Sequence, residues 1–167
     1  KELIDSRVNS NKELIHWLIE HNARPRYMCA NAVGIYGLQS NGEMASFDED
    51  TVIDSKNTHD FLSTIGMAWQ ESLSDAINYG IPVTTLRFGV VLKKGDGMLK
   101  KLELPFKLGL GHVLGDGSQT LSWVHLDDVI SAIVFLIQQP QIIGAVNITA
   151  PQPVSQKEFA STLARTL

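Results

Sequence analysis

The sequence predicts an α/β domain built on a mostly parallel sheet. Apolar residues recur at helical spacing in several segments, short apolar and β-branched runs lie between these segments, and glycine or proline marks the junctions. Parallel strands need crossover connections, so an alternation of helix and strand is typical of a parallel sheet covered by helices.

The first half of the chain contains two predicted helices and two predicted strands. Residues 1–21 repeat apolar side chains at helical spacing, and Pro25 follows that helix. Residues 27–30 form a short apolar run, typical of a buried parallel strand. Helical periodicity returns over 61–79, and the β-branched, apolar run 83–86 predicts a second buried strand.

Three segments are predicted as loops or weak helix. Residues 31–60 are rich in Gly, Asn, Ser and Asp, and a loop of that length in a compact domain is typically functional or disordered. Residues 98–108 have weak helical character interrupted by Pro105, and the closely spaced glycines of 109–117 predict a further loop.

Alternating elements return after the glycine-rich loop. Residues 121–124 predict a short strand, and Asp127 or Asp128 is a candidate cap for a helix over 129–138. The side chains of that helix are almost all apolar, which predicts burial over most of its surface.

The end of the chain predicts one more strand and one more helix. Residues 144–149 form the strand, and Ser155 with Glu158 predicts a capping box at the start of the helix. About three parallel strands would leave a sheet edge unpaired. Because Lys1 also begins inside a helical pattern, we expect further strands upstream of it.

Composition and charge exclude several classes of function. The chain is 44% hydrophobic and 19% charged, which favours one globular domain. A formal net charge of -4 argues against nucleic acid as a partner, and no apolar run approaches the roughly 20 residues that span a bilayer. No signal peptide is recognisable, so we expect a cytoplasmic protein with a small-molecule substrate. Whether it forms a homo-oligomer is left open.

Cysteine and histidine give no sign of redox or metal chemistry. Cys29 is the single cysteine and lies in an apolar run, so we assign it no redox role. The five histidines show no metal-ligand spacing with cysteine or aspartate partners, and we expect no metal site.

Several motifs, in order along nearly the whole chain, resemble an extended short-chain dehydrogenase. The likeness is to atypical members of the NAD-dependent epimerase/dehydratase family, of the nucleoside-diphosphate-sugar epimerase type. It implies part of a doubly wound Rossmann sheet, with a core half over about 1–95 and a small C-terminal substrate lobe from about 96–125 and 150–167. The motifs are Val8–Asn11, Cys29–Gly37, Leu86–Val91, Pro105–Gly111, Gly115–Gln119, Ser122–Asp128 and Asn147–Pro151.

The resemblance implies NAD or NADP as the cofactor. Its phosphates would rest on a Gly-x-x-Gly-x-x-Gly turn, which these 167 residues do not contain and which we expect upstream of Lys1. Ligands of open α/β sheets bind at the carboxyl ends of strands. Carried over position by position, the implied cofactor contacts are Asn9, Ala30, Asn31, Phe88, Gly89 and Val90. The alternative for Asn9 is a solvent-facing helix residue, and the alternative for Gly89 is a turn after a strand.

The residues that supply the proton depart from the family pattern. Asn31 stands where active members carry a serine, and an amide binds a substrate oxygen but is not an acid. Leu62 and Gly66 stand where a tyrosine and a lysine are expected, and no Tyr-x-x-x-Lys occurs in the chain. Tyr36 is the only tyrosine beside the implied nicotinamide. Asn31 and Tyr36 are therefore the candidate catalytic residues.

Substrate recognition departs from the pattern as well. Leu121 occupies the place of an arginine that pairs with the sugar diphosphate, and leucine cannot bind phosphate. The remaining substrate candidates are Gln119, Ser122, Trp123 and His125. For His125 the alternative is a structural hydrogen bond at a strand-to-helix corner, and Trp123 is equally readable as core.

The sequence thus predicts an NAD(P)-binding, epimerase-like or reductase-like protein with a non-standard active site. The alternative is a non-catalytic dinucleotide-binding or regulatory module. The environment of the Tyr36 hydroxyl discriminates between them, since an acid must reach the substrate whereas a structural tyrosine packs against the protein.

Overall fold

The computed structural model describes residues 2–38, 46–53 and 60–167. These residues divide into two compact units. The first unit comprises 2–38, 47–53, 60–87 and 136–147, and the second comprises residue 46, 88–135 and 148–167. The parts of the predicted 31–60 loop at 39–45 and 54–59 lie outside the described residues. The predicted division into a core half and a substrate lobe stays a prediction.

The described residues form helices and strands in an alternating order. The elements, in chain order, are α1 (Glu2–Glu20), β1 (Tyr27–Ala32), a 3₁₀ turn (Val33–Tyr36), α2 (Phe61–Glu71), α3 (Ser74–Tyr79), β2 (Val83–Phe88), β3 (Val90–Leu92), α4 (Gly97–Lys107), β4 (Thr120–Leu121), β5 (Trp123–His125), α5 (Leu126–Gln138), β6 (Gly144–Ile148), β7 (Val154–Ser155) and α6 (Gln156–Thr166).

The principal sheet has three strands in the order β1-β2-β6. The Tyr27 amide donates to the Pro82 carbonyl at 2.8 Å, so β1 and β2 begin side by side. The Gly89 amide donates to the Ile148 carbonyl at 3.1 Å, so β2 and β6 end side by side. The predicted α/β class with a parallel sheet is confirmed, and the carboxyl ends of all three strands lie at one edge.

The core of the first unit forms between α1, α3 and the strands. Helix α1 buries Asn11, Ile15 and Leu18, whose spacing places them on one face. Each fully buried aliphatic side chain contributes roughly 1.5–3 kcal/mol. The helix ends at Glu20, and Asn22 takes a left-handed conformation (φ 51°) just after it. The other buried members of this core are Cys29, Leu73, Ala76, Ile81 and Val83.

The prediction of one helix over 61–79 is wrong, because two helices cover that range. Helix α2 ends at Glu71 and α3 begins at Ser74. Between them, the Ser72 hydroxyl donates to the Trp69 carbonyl at 2.6 Å. A serine side chain that takes a backbone carbonyl competes with the helical hydrogen bond. Periodicity alone does not detect this break.

The second unit contains two small sheets. Strands β3 and β5 pair in parallel, with Val90 opposite Trp123, and β4 and β7 pair antiparallel, with Thr120 opposite Ser155. The single strand predicted over 121–124 is therefore wrong. It is two strands in different sheets, separated at Ser122, whose carbonyl accepts from the Val90 amide at 2.8 Å.

Helices α5 and α6 give opposite outcomes for two sequence predictions. The Ser155 hydroxyl accepts from the Glu158 amide at 3.1 Å, which confirms the cap of α6. The predicted burial of α5 over most of its surface is wrong. Val129 and Leu136 are its buried apolar residues, two turns apart on one face. The exposed ones are Ile130, Val134, Phe135 and Ile137, each about half accessible.

Candidate functional site

Four polar side chains of the first unit converge at the carboxyl edge of the principal sheet. Tyr36 follows β1, Arg87 is the penultimate residue of β2, Asn147 is the penultimate residue of β6, and Gln70 projects from α2. The Arg87 Nη1 donates to the Tyr36 hydroxyl at 2.7 Å, and Nη2 donates to Gln70 Oε1 at 2.8 Å. We call these four residues the carboxyl-edge cluster.

Tyr36 is held both at its ring and at its hydroxyl. The Phe47 ring stacks on it with 5.3 Å between centroids, and the Arg87 guanidinium carbon lies 5.1 Å from the ring centroid. Two oxygens, Asn147 Oδ1 and the Asp48 carbonyl, each lie 2.9 Å from the hydroxyl oxygen. The phenol therefore accepts from a cation and has two acceptors for its own proton.

Arg87 is the buried cation of the cluster, with 4% of its surface exposed. Its Nε atom is buried without a hydrogen-bond partner. Sequence reasoning missed Arg87, Gln70 and Asn147. The available signal was an arginine inside a run that otherwise reads as a buried strand, because arginine is almost never fully buried unless it is paired.

Asn31, the residue at the expected serine position, is engaged within the protein. It is 3% exposed, its Nδ2 donates to the Gly66 carbonyl at 3.0 Å, and its Oδ1 accepts from the Ala32 amide at 2.8 Å. Asn31 lies within β1 and Tyr36 comes after it, and their polar groups have different partners. Ala30 and Ala32 are the exposed residues of this half of the strand, so its outward face carries only methyl groups.

Of the two helix positions expected to hold tyrosine and lysine, the structure explains the residue at position 66. Leu62 is 55% exposed on α2. At Gly66, a β-carbon would lie 2.8 Å from Ile35 Cβ, a distance that real side chains do not tolerate. The packing of α2 against the 3₁₀ turn therefore requires glycine at position 66 and leaves no space there for a lysine.

The asparagines of α1 occupy two different environments. Asn9 is exposed on the helix surface. Asn11, which sequence reasoning did not single out, is 7% exposed, and its Nδ2 donates to Ser72 Oγ at 3.0 Å. Its Oδ1 accepts from the Tyr27 hydroxyl at 2.8 Å. The buried asparagine thus joins α1, β1 and the break between α2 and α3.

Cys29 lies beside this buried amide and is 5% exposed. Burial raises the pKa of the Cys29 thiol, and its hydrogen bonds with Asn11 and Trp69 oppose that rise without cancelling it. Burial, with the nearby thiol of Cys29 as a smaller cause, also raises the pKa of Tyr27. A buried thiol held in its neutral form is a poor nucleophile, in accord with the expectation of no redox role.

In the second unit, the implied cofactor contacts Phe88, Gly89 and Val90 lie where two backbone segments cross closely. A β-carbon on Gly89 would lie 2.8 Å from the Ser122 carbonyl oxygen. The next residue, Val90, donates its amide to that same oxygen. The protein's own packing thus accounts for the glycine. Phe88 and Val90 are half-buried on either side.

The candidate substrate residues of the second unit differ in burial and in hydrogen-bond partners. The Trp123 indole donates to the Gln152 carbonyl at 3.2 Å and is half-buried. Gln119 is exposed, and its backbone carbonyl accepts from the Gln156 amide at 2.8 Å. The Ser122 backbone carbonyl accepts a hydrogen bond from the Val90 amide.

His125 makes the structural hydrogen bond that the sequence offered as an alternative. Its Nδ1 accepts from the Asp127 amide at 3.2 Å, which satisfies a free N–H of the first turn of α5. An accepting Nδ1 places the proton of the neutral ring on Nε2. Asp127 and Asp128 lie in that first turn instead of at the cap position.

Within residues 2–38, 46–53 and 60–167, no group of three or more His, Cys, Asp or Glu side chains could hold a metal ion. No helix of those same ranges combines the length and apolarity needed to cross a bilayer.

The fold is that of a Rossmann-type α/β protein. Residues 1–149 match the model of the NAD dependent epimerase/dehydratase family. The chain belongs to this family.

Its relatives include proteins with and without a stated ligand. The epimerase family protein YfhF of Bacillus subtilis is 33% identical over 166 residues, which are 99% of this chain and 52% of that protein. A nucleoside-diphosphate sugar epimerase from Corynebacterium glutamicum has a TM-score of 0.83 at 32% identity, over 99% of this chain and 35% of that one. Human epimerase family protein SDR39U1, solved with NADPH, has a TM-score of 0.80 at 25% identity, over 97% and 53%. The chain spans about half the length of the relative from B. subtilis.

Proposed function

We propose that the protein binds NAD or NADP and exchanges a hydride and a proton with a small-molecule hydroxyl or carbonyl group. Membership of the NAD dependent epimerase/dehydratase family supports the cofactor class, and a relative at 25% identity was solved with NADPH. The observation that carries the proposal is the Tyr36 hydroxyl, which lies at the sheet edge where α/β proteins bind ligands.

The surface of β1 fits a flat ring or a ribose. Ala30 and Ala32 present only methyl groups on the exposed face of the strand, so a ligand can approach the backbone closely. We propose Ala30 as a cofactor contact in the first unit, together with Asn31 beside it and Asn9 on α1. Phe88, Gly89 and Val90 are the proposed contacts in the second unit.

The chain's own residues would handle the proton. When bound, the nicotinamide would supply or accept the hydride. Tyr36 is the proposed acid in the direction of carbonyl reduction and the base in the direction of alcohol oxidation. Its hydroxyl would exchange one of its present acceptors, Asn147 Oδ1 or the Asp48 carbonyl, for the substrate oxygen.

The substrate class differs from that of an ordinary sugar-nucleotide epimerase. Leu121 cannot pair with a diphosphate, and Leu62 with Gly66 cannot perform the work of Tyr-x-x-x-Lys. We propose a small carbonyl or hydroxyl compound as the substrate, and Gln119, Ser122, Trp123 and His125 stay the predicted substrate contacts.

One observation favours a non-catalytic dinucleotide-binding module as the second candidate. The hydroxyl and ring of Tyr36 are fully engaged by Arg87, Asn147, Asp48 and Phe47. A module that only binds would retain its affinity for cofactor and show no dependence of any turnover on Tyr36.

The test uses the full gene product that carries this chain. Calorimetry with NAD, NADP and NADPH should give binding at about micromolar levels, worth about 8 kcal/mol. Incubation with UDP- and GDP-sugars should give no epimer at rates near about one per second, the low end of ordinary enzyme turnover. Absence of cofactor binding would refute the proposed function. Ordinary epimerisation of a sugar nucleotide would refute the proposal that Tyr36 replaces the family's usual acid.

A further inference from the structure

Arg87 is a buried cation that no carboxylate neutralises among the residues that the structure describes. The ion pair found there between two charged side chains is Lys107 with Glu103; His16 beside Glu20 and His125 beside Asp127 are ion pairs only when the histidine is protonated. Burial of an unpaired charge costs several kcal/mol even after the surroundings relax. A charge kept at that cost, beside a functional edge, is a candidate for a role in the chemistry.

The guanidinium of Arg87 is fixed by one neighbour and directed at another. Gln70 Oε1 accepts from Nη2 at 2.8 Å and fixes the plane of the group. Nη1 donates to the oxygen of Tyr36 at 2.7 Å, while the carbon at the centre of the guanidinium lies 5.1 Å from the ring centroid. A charge-assisted donor to an oxygen is roughly twice as strong as a neutral one.

We propose that Arg87 is the positioning residue for Tyr36 and takes the place of the lysine that α2 lacks. In reduction, the O–H bond of Tyr36 would break and a new O–H bond would form on the substrate oxygen, and a bound reduced nicotinamide would supply the hydride for the new C–H bond. The electron pair of the broken O–H bond stays on the Tyr36 oxygen, facing Nη1. Oxidation runs the same transfers in reverse. This inference rests on the proposed function.

The other two tyrosines supply an internal comparison. Tyr79 also has an arginine over its ring, Arg24 at 4.7 Å, but its hydroxyl donates to Asn22 Oδ1 at 2.9 Å. The Tyr27 hydroxyl donates to Asn11. Within residues 2–38, 46–53 and 60–167, Tyr36 is the one tyrosine whose oxygen accepts a hydrogen bond from a cation.

The experiment measures nitration of individual tyrosines of the 167-residue chain by tetranitromethane at about pH 8, where phenolate is a minor form of free tyrosine. Nitration consumes phenolate, and peptide mass spectrometry assigns the rate at each residue. We expect Arg87→Met to slow the nitration of Tyr36 by about tenfold or more, since the substitution removes the charged donor from the Tyr36 oxygen. Arg87→Lys should retain most of the rate, and Arg24→Met should leave Tyr36 unchanged.

A purely structural role of Arg87 predicts the opposite sign. Loss of a packing side chain would expose Tyr36 and speed its nitration. A faster or unchanged rate in Arg87→Met, with the Tyr79 rate preserved as the control for folding, would overturn the proposal. Gln70→Glu gives a second measurement that leaves Arg87 in place. The carboxylate of this variant would compete for the Arg87 guanidinium and slow the nitration of Tyr36. An unchanged rate would count against the proposed action of Arg87 on Tyr36.

Measurement of turnover distinguishes failure of the positioning role of Arg87 from failure of the proposed reaction. In the full gene product, Arg87→Met should lower kcat by about tenfold or more with little change in KM, and Arg87→Lys should restore much of it. If wild-type protein turns over no substrate, the proposed reaction fails and so does the positioning role. The nitration rates then still show whether the Arg87 guanidinium increases the reactivity of the Tyr36 oxygen.

Discussion

Gly66 and Ile35 approach so closely that a β-carbon on Gly66 would lie 2.8 Å from Ile35 Cβ. Glycine costs a helix interior about 1 kcal/mol relative to alanine, so Gly66→Ala would ordinarily stabilise α2. Here we expect a loss of about 1–3 kcal/mol in the free energy of unfolding, because overpacking outweighs propensity. Urea denaturation measures it.

The matched control for that change is Gly34→Ala. Its β-carbon would lie 3.3 Å from Leu62 Cβ, a contact that a small shift relieves. We expect a smaller loss than at Gly66. If Gly66→Ala stabilised the protein, the packing account of the missing lysine would be wrong.

Asp60 caps α2, and its Oδ1 accepts from the amides of Leu62 and Ser63 at 2.8 and 3.0 Å. Replacement by alanine should cost about 1 kcal/mol, whereas Asp60→Asn, which also caps well, should cost much less. Thermal denaturation of the two variants shows whether Asp60 stabilises α2 as a cap or is a surface residue without that effect. Equal stability of Asp60→Ala and wild type would contradict the cap.

The cap also makes stability depend on pH. Burial acts to raise the pKa of Asp60, but the donors Ser63, Leu38 and Leu62 outweigh it and leave the pKa lowered. A carboxylate with a lower pKa in the folded state stabilises the fold above its unfolded pKa of about 4, and that contribution is lost as the pH falls through the folded pKa. The difference between wild type and Asp60→Asn should therefore shrink at low pH.

Asn11 connects three elements through buried hydrogen bonds, so Asn11→Ala should destabilise the protein by about 1–3 kcal/mol. The variant leaves Ser72 and Tyr27 without their partner. Labelling of Cys29 by a thiol reagent reports the opening of this region, and its rate should rise in Asn11→Ala. Substitution of the exposed Asn9 by alanine is the control, with an expected change within about 0.5 kcal/mol.

His125 is expected to act as a cap for α5. His125→Asn should preserve stability, because asparagine is a good N-cap, and His125→Ala should lose about 0.5–2 kcal/mol. Chemical denaturation measures both. A loss of turnover in His125→Asn at full stability would show instead that the imidazole has a chemical role.

The order of elements could be predicted because periodicity and turn residues are local signals. The strands β1, β2 and β6 follow from apolar and β-branched runs, and the family follows from motifs along the chain. The break at Ser72 and the division at Ser122 could not be predicted. Each depends on a hydrogen bond made by one serine, through the hydroxyl of Ser72 or the carbonyl of Ser122.

The carboxyl-edge cluster was only partly accessible from sequence. Tyr36 could be predicted as the only tyrosine beside the implied nicotinamide, but Arg87 and Asn147 lie 51 and 111 residues away from it. Only the pairing of the strands brings them together. The same is true of Gly66, whose need for glycine is set by Ile35 across a helix contact.

Deuterium transfer in the full gene product tests the central claim most directly. The protein is incubated with NADPH deuterated at the transferable position and a panel of small aldehydes and ketones, and the products are analysed by mass spectrometry. The account predicts transfer to at least one carbonyl compound with wild-type protein, reduced by about a hundredfold or more in Tyr36→Phe, the size expected for loss of a general acid. Transfer that is unchanged in Tyr36→Phe, or no transfer to any carbonyl compound, would contradict it.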